Sequence, residues 1–197
     1  MYRRDLWQEY APTARGAQEH FEDLGLSIDQ LRGKKILDIG AGLNELANEL
    51  KNENLDIVSL DPFYGLSREE REKVYERGYE DGPEKLKELL DRLEVKDRSA
   101  ELVAGHSEAL PFANDSFDLI ISHYGSPFYA EDAEKIEQFF SELSRVLKSG
   151  GEARIYPTWL KNSDAEKSDV LKRSLADLEK KGIYIEKSGA AWILKKG

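Results

Sequence analysis

Two apolar patterns alternate along the chain. Short apolar runs closed by glycine or proline read as buried strands, and apolar residues recurring every three or four positions read as one-sided helices. The stretch up to about Leu31 reads as helix, with Phe21, Leu24, Leu26 and Ile28 on one side, and Arg32-Gly33-Lys34-Lys35 follows as a turn. Lys35–Ile39 and Asp56–Leu60 read as the first two strands, and Leu43, Leu46, Ala47 and Leu50 mark a helix between them. Ser67 and Glu70 form a capping box for a helix running to about Arg77. Gly78 to Pro83 breaks it, and a second helix carries Leu86, Leu89, Leu90 and Leu93. Ala100–Val103 and Phe117–Ser122 read as strands three and four. Ile136, Phe139, Phe140, Leu143, Val146 and Leu147 line a helix over Ala133–Lys148, which Ser149-Gly150-Gly151 stops before a fifth strand, Glu152–Tyr156. A second capping box, Ser163 with Glu166, opens a helix that carries Leu171, Leu175 and Leu178 and ends at Gly182. Ile183–Glu186 and Ala190–Leu194 close the chain as a hairpin through Lys187-Ser188-Gly189.

Strands alternating with helices predict an α/β fold: a doubly wound, mostly parallel sheet of about seven strands, with a C-terminal antiparallel hairpin. Crossovers should be right-handed. The 197 residues fit one domain, with 1–32 as an N-terminal helical cap and 67–98 as a charged helical insertion. Apolar residues make up 40%, enough for a core, and no run is long enough to span a bilayer. The start, Met1-Tyr2-Arg3-Arg4, lacks a signal peptide's apolar stretch, and there is no cysteine, so a cytoplasmic location is expected. Three scattered histidines without cysteine give no metal-ligand spacing. A net charge of -10 with no basic patch disfavours nucleic acid as a partner.

The candidate chemistry begins at Asp38-Ile39-Gly40-Ala41-Gly42-Leu43-Asn44, a strand-to-helix junction. Glycines there allow positive φ and close approach of a ligand to the backbone, and the helix N-terminus beyond offers N–H groups to an anion. The same turn also occurs in α/β proteins that bind nothing. Asp61 ends the second strand, about 20 residues on, where an acid can accept hydrogen bonds from both ribose hydroxyls; the plainer reading is the start of an Asp-Pro turn, and the position relative to the glycines favours the first. Gly105-His106-Ser107-Glu108-Ala109-Leu110-Pro111-Phe112 then leads into Ser116-Phe117-Asp118-Leu119-Ile120, and Leu147-Lys148-Ser149-Gly150-Gly151 precedes the fifth strand.

In this order, over about residues 33 to 156, these motifs resemble the class I S-adenosylmethionine-dependent methyltransferases. The resemblance implies a Rossmann-like sheet and S-adenosylmethionine as cofactor. Gly40, Ala41 and Gly42 would face its methionine part with Asp38 nearby. Asp61 would hold the ribose, Pro62 and Phe63 would flank the adenine, and His106 and Ser107 would lie by the adenine amino group. His106 stands where the family often has Asp, and Ser149 replaces the usual Pro. In related methyltransferases an N-terminal segment lids the cofactor, which makes Tyr10 a candidate contact, alongside the alternative of a capping helix with Trp7, Tyr10 and His20 buried.

Open α/β sheets bind ligands at the carboxyl ends of their strands, so Ser122-His123-Tyr124-Gly125-Ser126-Pro127-Phe128-Tyr129 is where an acceptor should meet the cofactor. His123 is the candidate base or orienter, Tyr124 a second candidate, and Ser122 a cofactor contact. Tyr124, Phe128 and Tyr129 form either an aromatic substrate wall or packing for the N-terminal helix. The leading expectation is in-line methyl transfer to a small molecule or protein side chain. The alternatives are a non-catalytic module binding S-adenosylmethionine or S-adenosylhomocysteine, or a nicotinamide-dependent oxidoreductase. Glu45, where that fingerprint wants a third glycine, argues against the last.

Overall fold

The computed structural model describes residues 15–75, 83–94 and 100–197. Seven strands, β1 (Lys35–Ile39), β2 (Asp56–Leu60), β3 (Glu101–Val103), β4 (Phe117–His123), β5 (Leu147–Tyr156), β6 (Ile183–Ser188) and β7 (Ala191–Lys196), form one sheet. Their order is β3-β2-β1-β4-β5-β7-β6. The first five are mutually parallel, and β7 enters antiparallel between β5 and β6. The helices are α1 (Ala17–Leu24), α2 (Ile28–Leu31), α3 (Glu45–Glu49), α4 (Arg68–Tyr75), α5 (Pro83–Glu94), α6 (Ala133–Val146) and α7 (Ala165–Lys180). None of the described helices is long and apolar enough to cross a membrane.

Side chains alternate across each strand, so successive residues serve opposite layers. Leu37, Ile39, Val58, Leu60 and Ile120 pack with Ile136, Phe139, Phe140 and Leu143 of α6 and with Val170 and Leu178 of α7. Ile36, Ile57, Leu119 and Ile121 pack the other way, on Leu24, Leu31, Leu46 and Ala47. A third cluster joins Val74, Leu90 and Leu93 of α4 and α5 to Leu43 and Phe63 beside the glycine turn. The side chains of Leu86 and Leu89 lie outside what is described.

Four expectations are corrected. The first helix ends at Leu24, because Gly25 takes the left-handed conformation at φ 62° and its N–H bonds to the Phe21 carbonyl. The helix expected over Leu43–Leu50 spans only Glu45–Glu49, since Asn44 sits left-handed at φ 63° as its N-cap. Ser149-Gly150-Gly151 does not separate α6 from β5. Strand β5 starts at Leu147, and the glycines lie in an irregularity where the register jumps from Phe117↔Leu147 to Leu119↔Glu152. The second capping box is displaced by one residue: Asp164 Oδ1 accepts from the Lys167 N–H at 2.8 Å, while Ser163 pairs with Ser168. The first capping box stands, with the Ser67 N–H and hydroxyl both 2.8 Å from Glu70 Oε2.

Candidate functional site

The carboxyl ends of β1, β2 and β4 converge around the glycine turn. Gly40 and Gly42 adopt positive φ of 76° and 53°. The N–H groups of Gly40 and Ala41 donate to the Leu60 carbonyl at 2.8 and 3.3 Å, lacing the turn to the end of β2. Gly42 N–H donates to Asp61 Oδ2 at 3.0 Å, and Phe63 N–H to Asp61 Oδ1 at 2.8 Å. The Gly40, Ala41 and Gly42 N–H groups are thus spent within the protein, and what the turn offers a ligand is closeness. Asn44 stabilises the exit by accepting a 2.7 Å bond from the Ser59 hydroxyl.

A glycine missed at the sequence level completes the cradle. A Cβ on Gly40 would lie 2.9 Å from Gly125 Cα, and one on Gly125 would lie 2.6 Å from the Ile39 carbonyl. The β1 and β4 loops thus cross backbone on backbone. The signal available was Gly-Ser-Pro, a turn sequence directly after a strand.

Asp38 and Asp61 bring two buried carboxyls to this end of the sheet. Asp38 is only 2% exposed, and no described residue hydrogen-bonds its carboxyl. Burial, then repulsion from Asp61, pushes it up to about 7. Asp61 is pushed up to about 6 by burial, against the pull of the Phe63 and Gly42 N–H groups and of His106. An acid so placed is poised for a cationic ligand group that restores the lost solvation.

The remaining sequence candidates fall into two groups. Pro62 opens the 3₁₀ turn Pro62–Gly65, which Arg71 fixes from α4 by donating to the Phe63 and Tyr64 carbonyls at 3.3 and 2.8 Å. His106 is exposed, and Ser107 is buried with its hydroxyl 2.5 Å from the Ser126 hydroxyl, joining the β3 and β4 loops. Leu110-Pro111-Phe112 is held by α6, whose Arg145 donates to the Leu110 and Phe112 carbonyls while Glu142 accepts from the Leu110 N–H.

The other group turns toward α1. Ser122 is fully buried, and its hydroxyl is spent on the Ser126 carbonyl at 2.6 Å, so its side chain shapes the loop rather than facing a ligand. His123 shares the α1-facing side of β4 with Ile121. Its Nε2 is 2.8 Å from Asp23, its ring lies tilted 4.3 Å from that of His20, and its buried Nδ1 has no partner among the described residues. Burial holds its pKa below the usual imidazole value despite Asp23. Tyr124 takes φ 54° and donates its N–H to the Tyr156 carbonyl at 2.7 Å. Hydrogen bonding with Tyr124 and burial push the Tyr156 hydroxyl up to about 12. Asp23 and Tyr156 were not singled out from sequence; the spacing of His20 and Asp23, three apart on one helix face, was the available signal. Tyr10 and Trp7 lie outside the described residues. Among those described, no group of acidic or histidine side chains could hold a metal ion.

The sequence model of a family described as "Methyltransferase domain" matches residues 37–155. The BioHC bifunctional biotin-biosynthesis protein of Cellvibrio japonicus is 29% identical over 126 residues, 64% of this chain and 20% of its own. The demethylmenaquinone methyltransferase of Renibacterium salmoninarum is 26% identical over 125 residues, 64% of this chain and 41% of its own. The chain thus spans less than half the length of these curated relatives. Among solved structures, the protein mmp1179 of Methanococcus maripaludis superposes with a TM-score of 0.54 at 22% identity, over 91% of this chain and 83% of that one. The sheet order, with β7 inserted antiparallel, also differs from the all-parallel 3-2-1-4-5-6 order of dinucleotide-binding domains, which leaves the nicotinamide reading without support. The chain belongs to the class I S-adenosylmethionine-dependent methyltransferases.

Proposed function

We propose that this chain binds S-adenosylmethionine across the carboxyl ends of β1, β2 and β4 and transfers its methyl group to a small molecule or a protein side chain by in-line displacement. The observation that carries the reading is Asp38: a buried carboxyl, with no hydrogen-bond partner among the described residues, beside a glycine turn that a ligand can approach closely. Bound there, the cofactor supplies an already activated methyl group. The chain's own contribution is alignment. Asp61 would accept from the ribose hydroxyls on the lone pairs left by Gly42 and Phe63. Pro62 would flank the adenine, with His106 and Ser107 near its amino group; Phe63, expected beside it, is fully buried in the third core cluster and packs behind that position. Asp38 would offset the positive charge of the methionine part.

His123 acts as an orienter. Its Nε2 bond to Asp23 ties the end of β4 to α1, and its Nδ1 is closed to substrate. The net charge of -10 argues against a polynucleotide acceptor, and the cysteine-free sequence fits a cytoplasmic enzyme. Calorimetric titration with S-adenosylmethionine, S-adenosylhomocysteine and NADH tests the proposal. The first two should bind in the micromolar range, with affinity falling at least about tenfold in Asp61→Ala. Binding of NADH alone would sink it.

A further inference from the structure

The acceptor end of the sheet carries a continuous strip of five aromatic rings. Tyr129 lies 4.6 Å from Phe128, Phe128 5.4 Å from Tyr124, Tyr124 5.1 Å from Tyr156, and Tyr156 6.0 Å from Trp159. Backbone bonds make the strip one surface: Tyr124 N–H to the Tyr156 carbonyl, and Lys161 N–H to the Phe128 carbonyl at 2.8 Å. Its two ends are open to solvent, while Tyr124, Phe128 and Tyr156 between them are half-buried. Among the described residues only three large apolar side chains are exposed, and two of them, Trp159 at 50% and Tyr129 at 40%, belong to it. Exposed apolar area gathered in one place marks a binding surface more often than chance. The strip is also continuous with the cofactor turn, because Gly125, next to Tyr124, packs on Gly40.

Its charge selects the ligand. Lys161 Nζ sits 4.9 Å above the Tyr129 ring, and the Arg15 guanidinium 4.0 Å above Tyr124. Cations thus already occupy two ring faces. At the Lys161 end of the strip an amine acceptor would meet like charge, whereas a planar anion gains attraction there and stacking on the exposed Trp159. The local imidazole, His123, is sealed between Asp23 and the core. That side chain therefore does not serve as the acceptor's base, and an acceptor that arrives ionised needs none.

We infer, resting on the methyltransferase reading, that this strip binds the acceptor and that the acceptor is a planar aromatic anion methylated on its ionised oxygen. The step balances without a base: the anionic oxygen bonds to the methyl carbon, the carbon–sulfur bond breaks, and its electron pair stays on sulfur.

The test is calorimetric titration of the full chain, saturated with S-adenosylhomocysteine, with 6-hydroxy-2-naphthoate as planar anion and benzyltrimethylammonium as cationic counterpart. The naphthoate should bind at least about tenfold more tightly than the cation. Trp159→Ala and Lys161→Glu should each weaken naphthoate binding severalfold while S-adenosylhomocysteine affinity stays as in the parent chain. Tighter binding of the cation, binding of neither probe, or naphthoate affinity untouched by both substitutions would overturn the inference. Absent S-adenosylhomocysteine binding would count instead against the cofactor reading, and naphthoate titration without it would still judge the strip.

Discussion

The two buried aspartates decide the chemistry at the residue scale. Both are harder to ionise in the fold than in an unfolded chain, so the folded state holds extra protons as pH falls. The ligand-free protein should therefore lose stability as pH rises from the ordinary aspartate value of 3.8 through about 6 and about 7. Asp38→Asn should flatten that slope and raise stability at about pH 8 by on the order of 1 kcal/mol, measured by urea unfolding at several pH values. Affinity for cationic S-adenosylmethionine should move oppositely, climbing through the same window as Asp61 and then Asp38 release their protons. Neutral S-adenosylhomocysteine sulfur should feel that change less. A flat pH profile for S-adenosylmethionine would break the link between these carboxyls and the cofactor. Gly125 is the other decisive residue. Gly125→Ala places a Cβ against the Ile39 carbonyl and should cost about 2 kcal/mol or more in stability, together with cofactor binding. Unchanged melting and affinity would mean that the loops do not cross as tightly as described.

At the scale of elements, α1 covers the sheet and is fastened from below. Arg154 of β5 donates from Nη1 to the Leu24 carbonyl at 2.7 Å and also to the Gly25 carbonyl, while its Nε binds Glu152. It thereby satisfies backbone groups that a helix end leaves open. Arg154→Leu should destabilise the protein by about 2 kcal/mol through those unpaired carbonyls, with lost amide-exchange protection concentrated in Ala17–Leu24. Uniform loss of protection would place Arg154 in the global core instead. The alternation of β1, β2 and β4 with α6 and α7 was legible because burial imposes periods of two and 3.6 on the sequence. The irregularity at Ser149-Gly150-Gly151 was not, because glycine in a bulge and glycine at a helix stop leave the same local pattern. The shift of the helix cap from Ser163 to Asp164 was hidden similarly, since either side chain can accept the N–H bond.

For the whole molecule, a net charge of -10 spread over interleaved acidic and basic residues should prevent measurable binding to duplex DNA at roughly 0.15 M salt in a mobility-shift assay. Salt-sensitive binding there would reveal a basic surface missing from this description. The glycine turn and its two buried aspartates could be read from the chain because they sit in contiguous motifs at strand ends, Asp38 to Gly42 and Asp61 to Phe63. The cluster at the end of β4 could be read only in part: the loop over 122–129 is contiguous, but its partners come from long separations, and Asp23 meets His123, and Tyr124 meets Tyr156, only after the sheet orders β4 beside β5 and α1 folds over both. The structure of this protein bound to S-adenosylhomocysteine is the most direct test of the whole reading. The ribose hydroxyls should lie within about 3 Å of the Asp61 carboxylate and the methionine part against Gly40–Gly42. A nucleoside seated elsewhere, with Asp61 still bound only to Gly42 and Phe63, would contradict it.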